Sequence, residues 1–277
     1  PMVIVDVGRM GPATGAATTG AQGDIQFLRW GTSGGYPVIV LVPTTVKECY
    51  TLTLKAFDLA ERFRVPVFLA TDKETALTKT TVSIPHHDTS PVRERPIVPA
   101  KEEFVPYRID QPSQVPAMAH FGGPHTVRFT TSSHDETGYL TKDPPTLDRL
   151  NHHLSAKIEE HVEEISHVKT DLQPGAETLL LSYGITARSM LEAGRQFRES
   201  GEKVSMLTIY SLWPVPEKAI RQAMQDAKRI VVAELNLGQY RREIERLATD
   251  EHDVIGVNRV DGKLISPTQL LQEGGLA

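Results

Sequence analysis

The chain has 277 residues, a formal net charge of -5, and hydrophobic and charged fractions of 39% and 23%. That length suits two domains with substantial cores, and the mild acidity leaves no broad positive field for nucleic acid. The one cysteine, Cys49, excludes an internal disulfide and cannot by itself ligate an iron–sulfur cluster or a cysteine zinc site, which fits a reducing cytoplasm; no apolar run reaches the length of a membrane span.

A β-branched run, Val3, Ile4, Val5 and Val7, begins two residues after Pro1 with no lead-in. It reads as the continuation of a longer chain, or as part of a sheet that another chain completes. The strand ends in a loop that runs to Asp24. Glycines at 8, 11, 15, 20 and 23 permit positive φ and close backbone approach. Arg9 offers a planar fork suited to a carboxylate, and Thr14, Thr18 and Thr19 add hydroxyl donors. The segment reads either as a cradle for a small anion or as an ordinary connection in which Arg9 pairs with a nearby carboxylate.

Ile25 to Trp30 predicts a short amphipathic turn and Pro37 to Val42 a second buried strand. Thr45 and Glu48 have the spacing of a capping box. The helix it opens runs to about Arg64, with Val46, Cys49, Ala56, Ala60 and Phe63 on its apolar face. On that face Cys49 reads as core rather than as a catalytic thiol. Val65 to Ala70 is a third strand, and strand, helix, strand predicts a right-handed parallel unit.

Between Thr71 and Pro174 lie eleven of the nineteen prolines, and periodic apolar pattern is scarce. This reads as a long inter-domain connection. Within it Asp143-Pro-Pro starts a helix over about 145–167, with Leu147, Leu150, Leu154, Ile158, Val162 and Ile165 as its docking stripe. His152, His153, His161 and His167 on or near it are either structural or candidate metal ligands, and no third ligand completes a set. Ser133 to Gly138 is either an Asx-type turn or, through His134 between Ser133 and Asp135-Glu136, an acid–base element.

From Glu177 the strands and helices alternate: strands at 178–183, 204–210 and 230–233, helices at 186–200, 217–227 and 239–248. The pattern predicts a small doubly wound sheet. Its strand ends, Ser182 to Gly184 and Glu234 to Gln239, lack the Gly-x-Gly-x-x-Gly fingerprint and read as interface more than as ligand site.

With Gly8 to Asp24 followed by Arg29-Trp30-Gly31-Thr32, then Ala56 to Val67, His134-Asp135-Glu136-x-Gly138 and Ile265 to Thr268, the chain resembles the α subunits of 2-oxoacid:ferredoxin oxidoreductases, the 2-oxoglutarate type in particular. The family loop reads Gln-Arg-Gly-Gly-Pro-Ser-Thr-Gly-Leu/Met-Pro-Thr, and Arg9, Gly11, Pro12, Thr14, Gly15 and Thr18 fall in its places. Gly8, Met10, Ala13, Ala16 and Ala17 depart from it, which bears on the side-chain pocket and substrate size more than on the anion contact.

The resemblance implies two α/β domains, each a parallel sheet in three layers. Residues 1–72 would be the C-terminal half of a thiamine diphosphate-binding, pyrimidine-side domain, 73–175 the Pro-rich linker and 176–277 a transketolase C-terminal-like domain. It implies that Arg9 and Thr18, with Gly11 and Thr14 beside them, bind the carboxylate and oxo group of a 2-oxoacid. The implied reaction is oxidative decarboxylation to acyl-coenzyme A and CO2, with electrons passed to ferredoxin. A partner β subunit would hold the thiamine diphosphate, Mg2+ and [4Fe-4S] cluster, this chain alone binding none of them. The family's upstream Tyr-Pro-Ile-Thr-Pro element and thiamine-contacting glutamate are not in these residues, so a separate chain or preceding segment is expected to supply them, and this chain alone is expected to be inactive. The rival expectations are a subunit of a ferredoxin-independent transketolase- or dehydrogenase-like thiamine enzyme, and a non-catalytic docking module.

Overall fold

The computed structural model describes residues 1–16, 19–84 and 92–276. The elements follow in order: β1 (Met2–Gly8), α1 (Ile25–Trp30), β2 (Ile39–Leu41), α2 (Val46–Phe63), β3 (Pro66–Asp72) and α3 (Lys73–Leu77). Then come α4 (Pro144–Glu159), α5 (Val162–Ile165), β4 (Val168–Asp171), β5 (Thr178–Tyr183), α6 (Thr186–Glu199), β6 (Ser205–Ile209) and β7 (Ser211–Trp213). The chain closes with α7 (Glu217–Met224), β8 (Arg229–Glu234), α8 (Arg241–Leu247), β9 (Asp253–Asn258) and α9 (Pro267–Glu273).

The first sheet has the order β1-β3-β2-β7. Strands β1, β3 and β2 are parallel, with Met2 opposite Pro66 and Gly8 opposite Asp72, so the expected parallel unit across α2 is present. The fourth strand is not local: β7 arrives from beyond β6 and pairs antiparallel with β2, Val40 opposite Trp213. At the other edge, β1 leaves Met2, Val5 and Val7 exposed.

The second sheet has the order β4-β6-β5-β8-β9, parallel except for β4. Strand β4 lies within the stretch read as linker, where Val168 pairs with Ile209 and Asp171 with Met206. The Pro-rich connection therefore ends inside the second sheet, as an antiparallel edge.

One core lies between the sheets. Val40, Val42 and Ala70 of the first sheet and Ile25 and Leu28 of α1 meet Leu179, Leu181, Tyr183 and Trp213, with α7 and α8 contributing Ile220, Met224, Ile244 and Leu247. On the outer face of the first sheet, Ile39, Leu41 and Val67 pack under α2 and under Ile158 and Ile165 of α4 and α5. The outer face of the second sheet is covered by α6 and α9 through Met190, Ala193 and Leu270. Apolar burial on both faces explains why the inner strands β2, β3, β5 and β8 read as continuous apolar runs, whereas β1 keeps an exposed apolar face.

Two local expectations need correction. Thr45 caps α2 by accepting the Glu48 N–H at 3.2 Å, but Glu48 does not return to Thr45. Its carboxylate instead accepts the Thr44 N–H at 2.9 Å, the Thr44 hydroxyl, and the Tyr210 hydroxyl at 2.8 Å. Burial acts to raise this carboxyl, and those hydrogen bonds outweigh it and hold the pKa below the usual range. The predicted single helix over 145–167 is two. His161 makes the break: its ring nitrogen Nδ1 bonds the Lys157 carbonyl at 3.2 Å, and the ring packs edge-on against Phe63 at 5.3 Å. The docking stripe survives, with Ile158 and Ile165 fully buried.

The Pro-rich stretch is held down by Arg64, the left-handed C-cap of α2 (φ 53°). Its Nη1 donates to the Pro106 carbonyl at 2.7 Å, and its guanidinium lies 5.2 Å from the Tyr107 ring. Facing it on α4, Lys157 is 6% exposed. Burial, with the Arg64 charge beside it, pulls the Lys157 ammonium down from 10.5 to about 8. Between those pH values the unfolded chain holds a proton that the folded chain has released, so stability rises with pH across that window. Below it the buried charge costs on the order of 3 kcal/mol. Lys157→Met should therefore raise the stability measured by urea unfolding in a low-anion buffer at pH 7 by about 2–3 kcal/mol. That advantage should shrink as the pH passes from about 8 to 10.5.

Candidate functional site

In both sheets the carboxyl ends of the parallel strands carry polar loops, and the two sets of loops meet. In the second sheet, β5 leads to β6 on one side and β8 to β9 on the other, so the direction of winding reverses between β5 and β8. In folds of this kind a nucleotide or other small ligand binds at that crevice. Here the crevice is filled by Gln22, from the loop after β1.

Gln22 is 5% exposed. Its Nε2 donates to the Tyr183 carbonyl at 3.1 Å, and its Oε1 accepts the Leu235 N–H at 2.9 Å and the Thr186 hydroxyl at 3.1 Å. Its backbone N–H donates to the Leu235 carbonyl at 3.0 Å, and its carbonyl accepts from Asn236 Nδ2 at 2.8 Å. Every polar group of the residue is thus spent on the second domain. Nearby, Gln26 and Gln239 exchange side chain-to-backbone bonds at 2.9 and 2.7 Å, and Asp72 at the end of β3 accepts the Ile185 N–H at 2.9 Å.

Behind this plug the second domain supplies a buried frame. Glu234 has no exposed surface and accepts the Tyr183 hydroxyl at 2.7 Å and the Tyr240 and Arg241 N–H groups at 3.0 Å. Burial first, and then the Glu234 charge, push the Tyr183 phenol well above its ordinary range, so it is a fixed donor. The Ser182-Tyr183-Gly184 and Glu234-to-Gln239 strand ends thus form the interface that their sequence suggested.

The loop itself rises from this base. Asp24 accepts the Arg9 N–H at 3.0 Å, and Gly23 donates its N–H to the Arg9 carbonyl at 2.8 Å. A Cβ on Gly23 would collide with that carbonyl, and one on Gly8 would lie 2.9 Å from the Ala21 carbonyl, so the two limbs approach at a distance only glycine allows. The Arg9 side chain is 51% exposed and only loosely paired, its Nε 3.7 Å from Asp24. Asp6 on β1 completes the cluster; burial, then the Asp24 charge, raise its pKa, and Arg9 opposes them.

Of the sequence-predicted site residues, Arg9, Gly11 and Thr14 lie on the open side of this loop, Gly11 with φ +69° and Thr14 exposed. Thr18 lies outside the described residues. Beneath the loop the cavity between Asp6, Gln22, Asp24 and Asp72 is about 10 Å3, room for little more than a water. A substrate carboxylate can reach Arg9 only from outside. Gln22 and Asp72 were not singled out by sequence; the one available signal was a lone amide between Gly20 and Gly23 in a loop of small residues.

His134 is placed by its turn: Asp135 Oδ1 accepts the Thr137 and Tyr139 N–H groups at 2.9 and 3.1 Å, and Gly138 has φ +85°. Among the four histidines near α4, His153 bonds the Pro112 carbonyl at 2.7 Å and His167 packs against Tyr210. No group of three His, Cys, Asp or Glu side chains suited to a metal ion occurs among the described residues, and no helix among them is long and apolar enough to cross a membrane.

Two parallel-dominant sheets sharing one core, with a Gly-rich cationic loop where their strand-end loops meet, define a two-sheet α/β protein. Residues 1–151 match the family described as pyruvate flavodoxin/ferredoxin oxidoreductase, thiamine diphosphate-binding, and residues 176–270 match pyruvate:ferredoxin oxidoreductase core domain II. The chain is 36% identical over 272 residues to the 2-oxoglutarate synthase subunit KorA of Methanothermobacter thermautotrophicus, covering 98% of this chain and 72% of that protein. It is 30% identical over 274 residues to the ketoisovalerate oxidoreductase subunit VorB of the same organism, covering 99% and 70%. Its fold matches that of a 2-oxoglutarate:ferredoxin oxidoreductase from Magnetococcus marinus with a TM-score of 0.85 at 23% identity, over 98% of this chain and 47% of the other. A split-gene transketolase chain matches at 0.51 and 12%, over 99% of this chain and 65% of the other, a likeness of fold alone. The chain belongs to the 2-oxoacid flavodoxin/ferredoxin oxidoreductase family.

Gln22→Leu should cost about 3–5 kcal/mol of stability, since it strands a buried carbonyl, hydroxyl and N–H at once. Two-probe chemical unfolding should show it: the variant's domains should melt apart, whereas the parent's melt together.

Proposed function

We propose that this chain is the α-type subunit of a thiamine-dependent 2-oxoacid:ferredoxin oxidoreductase, and that its Arg9 loop holds the carboxylate of the 2-oxoacid. What carries the reading is a half-exposed guanidinium on a loop whose stem is locked to both domains, within a chain of this family. The 2-oxoglutarate synthase subunit of Methanothermobacter thermautotrophicus is 36% identical and the ketoisovalerate subunit of the same organism 30%, which favours 2-oxoglutarate as the substrate.

In this reading Arg9 forms charge-assisted bonds to the carboxylate. The backbone of Gly11 lets the substrate approach, and Thr14 and Thr18 add hydroxyl donors, Thr18 toward the oxo oxygen, where charge grows as the 2-oxo carbon is attacked. Asp24 keeps the loop in register from below. Thiamine diphosphate, when bound, supplies the carbanion chemistry of decarboxylation. A single cysteine cannot supply the four thiolates of a [4Fe-4S] cluster. A partner β subunit would hold the [4Fe-4S] cluster, the Mg2+ and the diphosphate, pass electrons to ferredoxin, and share the coenzyme A-dependent release of the acyl product. A cytoplasmic setting accords with this chemistry.

Arg9→Ala in the assembled complex should lower kcat/KM by about 30- to 5,000-fold, the equivalent of about 2–5 kcal/mol for a buried carboxylate left without its partner. The assay is 2-oxoglutarate- and coenzyme A-dependent reduction of a low-potential acceptor. An unchanged kcat/KM would remove Arg9 from the site.

A further inference from the structure

At the opposite end of the first sheet from the Arg9 loop, where β3 begins, a cavity of about 210 Å3 opens between α4 and the Pro-rich stretch. The length of β3 separates the two places by roughly 20 Å. Its walls are partly apolar, from Ile109, Leu150 and Leu154, and its charged lining includes Arg64 and Lys157 on one side and the carboxylates of Asp135 and Glu136 on the other.

Neither Arg64 nor Lys157 is paired with a carboxylate among the described residues. Arg64 Nη2 and His134 Nε2 are buried with no hydrogen-bond partner among the described residues. Lys157 is more than nine-tenths buried, and the one charge acting on it is another cation, Arg64. Of the two acids in the lining, Asp135 accepts the N–H groups of its own turn through Oδ1, and Glu136 lies 3.8 Å from Arg108. His134 Nδ1 bonds the Ser132 carbonyl at 2.8 Å, which fixes the ring at the edge of the cavity. Buried donors of this kind are ordinarily matched, and unmatched cations destabilise a fold.

We infer that this cavity is a carboxylate-binding site, in which a planar anionic group on a short apolar body is held by the Arg64 fork and the Lys157 ammonium, with the body against Ile109, Leu150 and Leu154. The planar fork and point cation suit a two-oxygen anion, and the apolar walls suit an aliphatic body more than a fully solvated phosphate. The carboxylate can come from a free small molecule or from an acidic side chain of an adjoining polypeptide. The site is distinct from the Arg9 loop and stands independently of the reaction assigned to it.

The test is the acetylation rate of Lys157 by dilute acetic anhydride, read by peptide mass spectrometry against exposed Lys142, in the full protein and in its assembled complex. If a small molecule is the source, butyrate should slow Lys157 labelling saturably, by at least about fivefold, while butanol has no effect. If a neighbouring chain supplies the carboxylate, Lys157 should already be protected in the complex, and a zero-length carbodiimide should join it to an Asp or Glu of that chain. Equal labelling with and without butyrate, together with no such cross-link, would overturn the site. Protection by phosphate stronger than by butyrate would overturn its assignment to carboxylates.

Discussion

The structure depends on one buried amide. Gln22 bonds through its side-chain amide, N–H and carbonyl to five groups on the second domain, in a crevice where it is almost fully buried. A buried polar network of this kind tolerates no half measures: each bond is modest while made and costly once one partner is lost. It therefore fixes the register of the two domains more sharply than the apolar core between them, which would accept small slides. It also shuts the switch point of the second sheet, and that domain becomes a platform for the first rather than a ligand site.

From that constraint the rest follows in order. Gln22 is bonded to the second domain and Gly23 to the Arg9 carbonyl, and Asp24 next to them holds the start of the loop through the Arg9 N–H. The guanidinium itself stays half exposed on the open side of the loop. Strand β7, paired with β2, and the Tyr210-to-Glu48 bond repeat the lock at the far side of the sheet. Burial pushes the Tyr210 phenol up to about 12, aided by the Glu48 charge, so this contact remains a phenol donating to a carboxylate throughout the neutral range. The loop is mounted on a rigid seam, and catalytic positioning of that kind is what a substrate-orienting cation requires.

Local pattern made much of this legible. The apolar runs at Val3, Pro37 and Val65 and the stripe of α2 gave the first sheet's parallel strands, and the alternation after Glu177 gave the second. The Thr45 cap and the Asp135 turn were visible because their partners lie within a few residues. What local pattern could not carry was long range. Residue 22 meets residues 183 and 235, and the antiparallel strands β4 and β7 are short and follow no period. The burial of Arg64 and Lys157 went unread, since nothing in their neighbours announces that a Pro-rich stretch folds over them. Arg9 was legible as a cation in a Gly-rich loop, and its exposure agrees with either a substrate or a partner surface. Family membership, and not spacing, favours the first.

The most direct measurement is the structure of the assembled complex with the 2-oxoacid bound. It should place a substrate carboxylate oxygen at about 2.7–3.2 Å from the Arg9 guanidinium, with Gln22 still joined to Tyr183 and Leu235. A substrate carboxylate held by other residues, with Arg9 still turned to Asp24, would contradict the account.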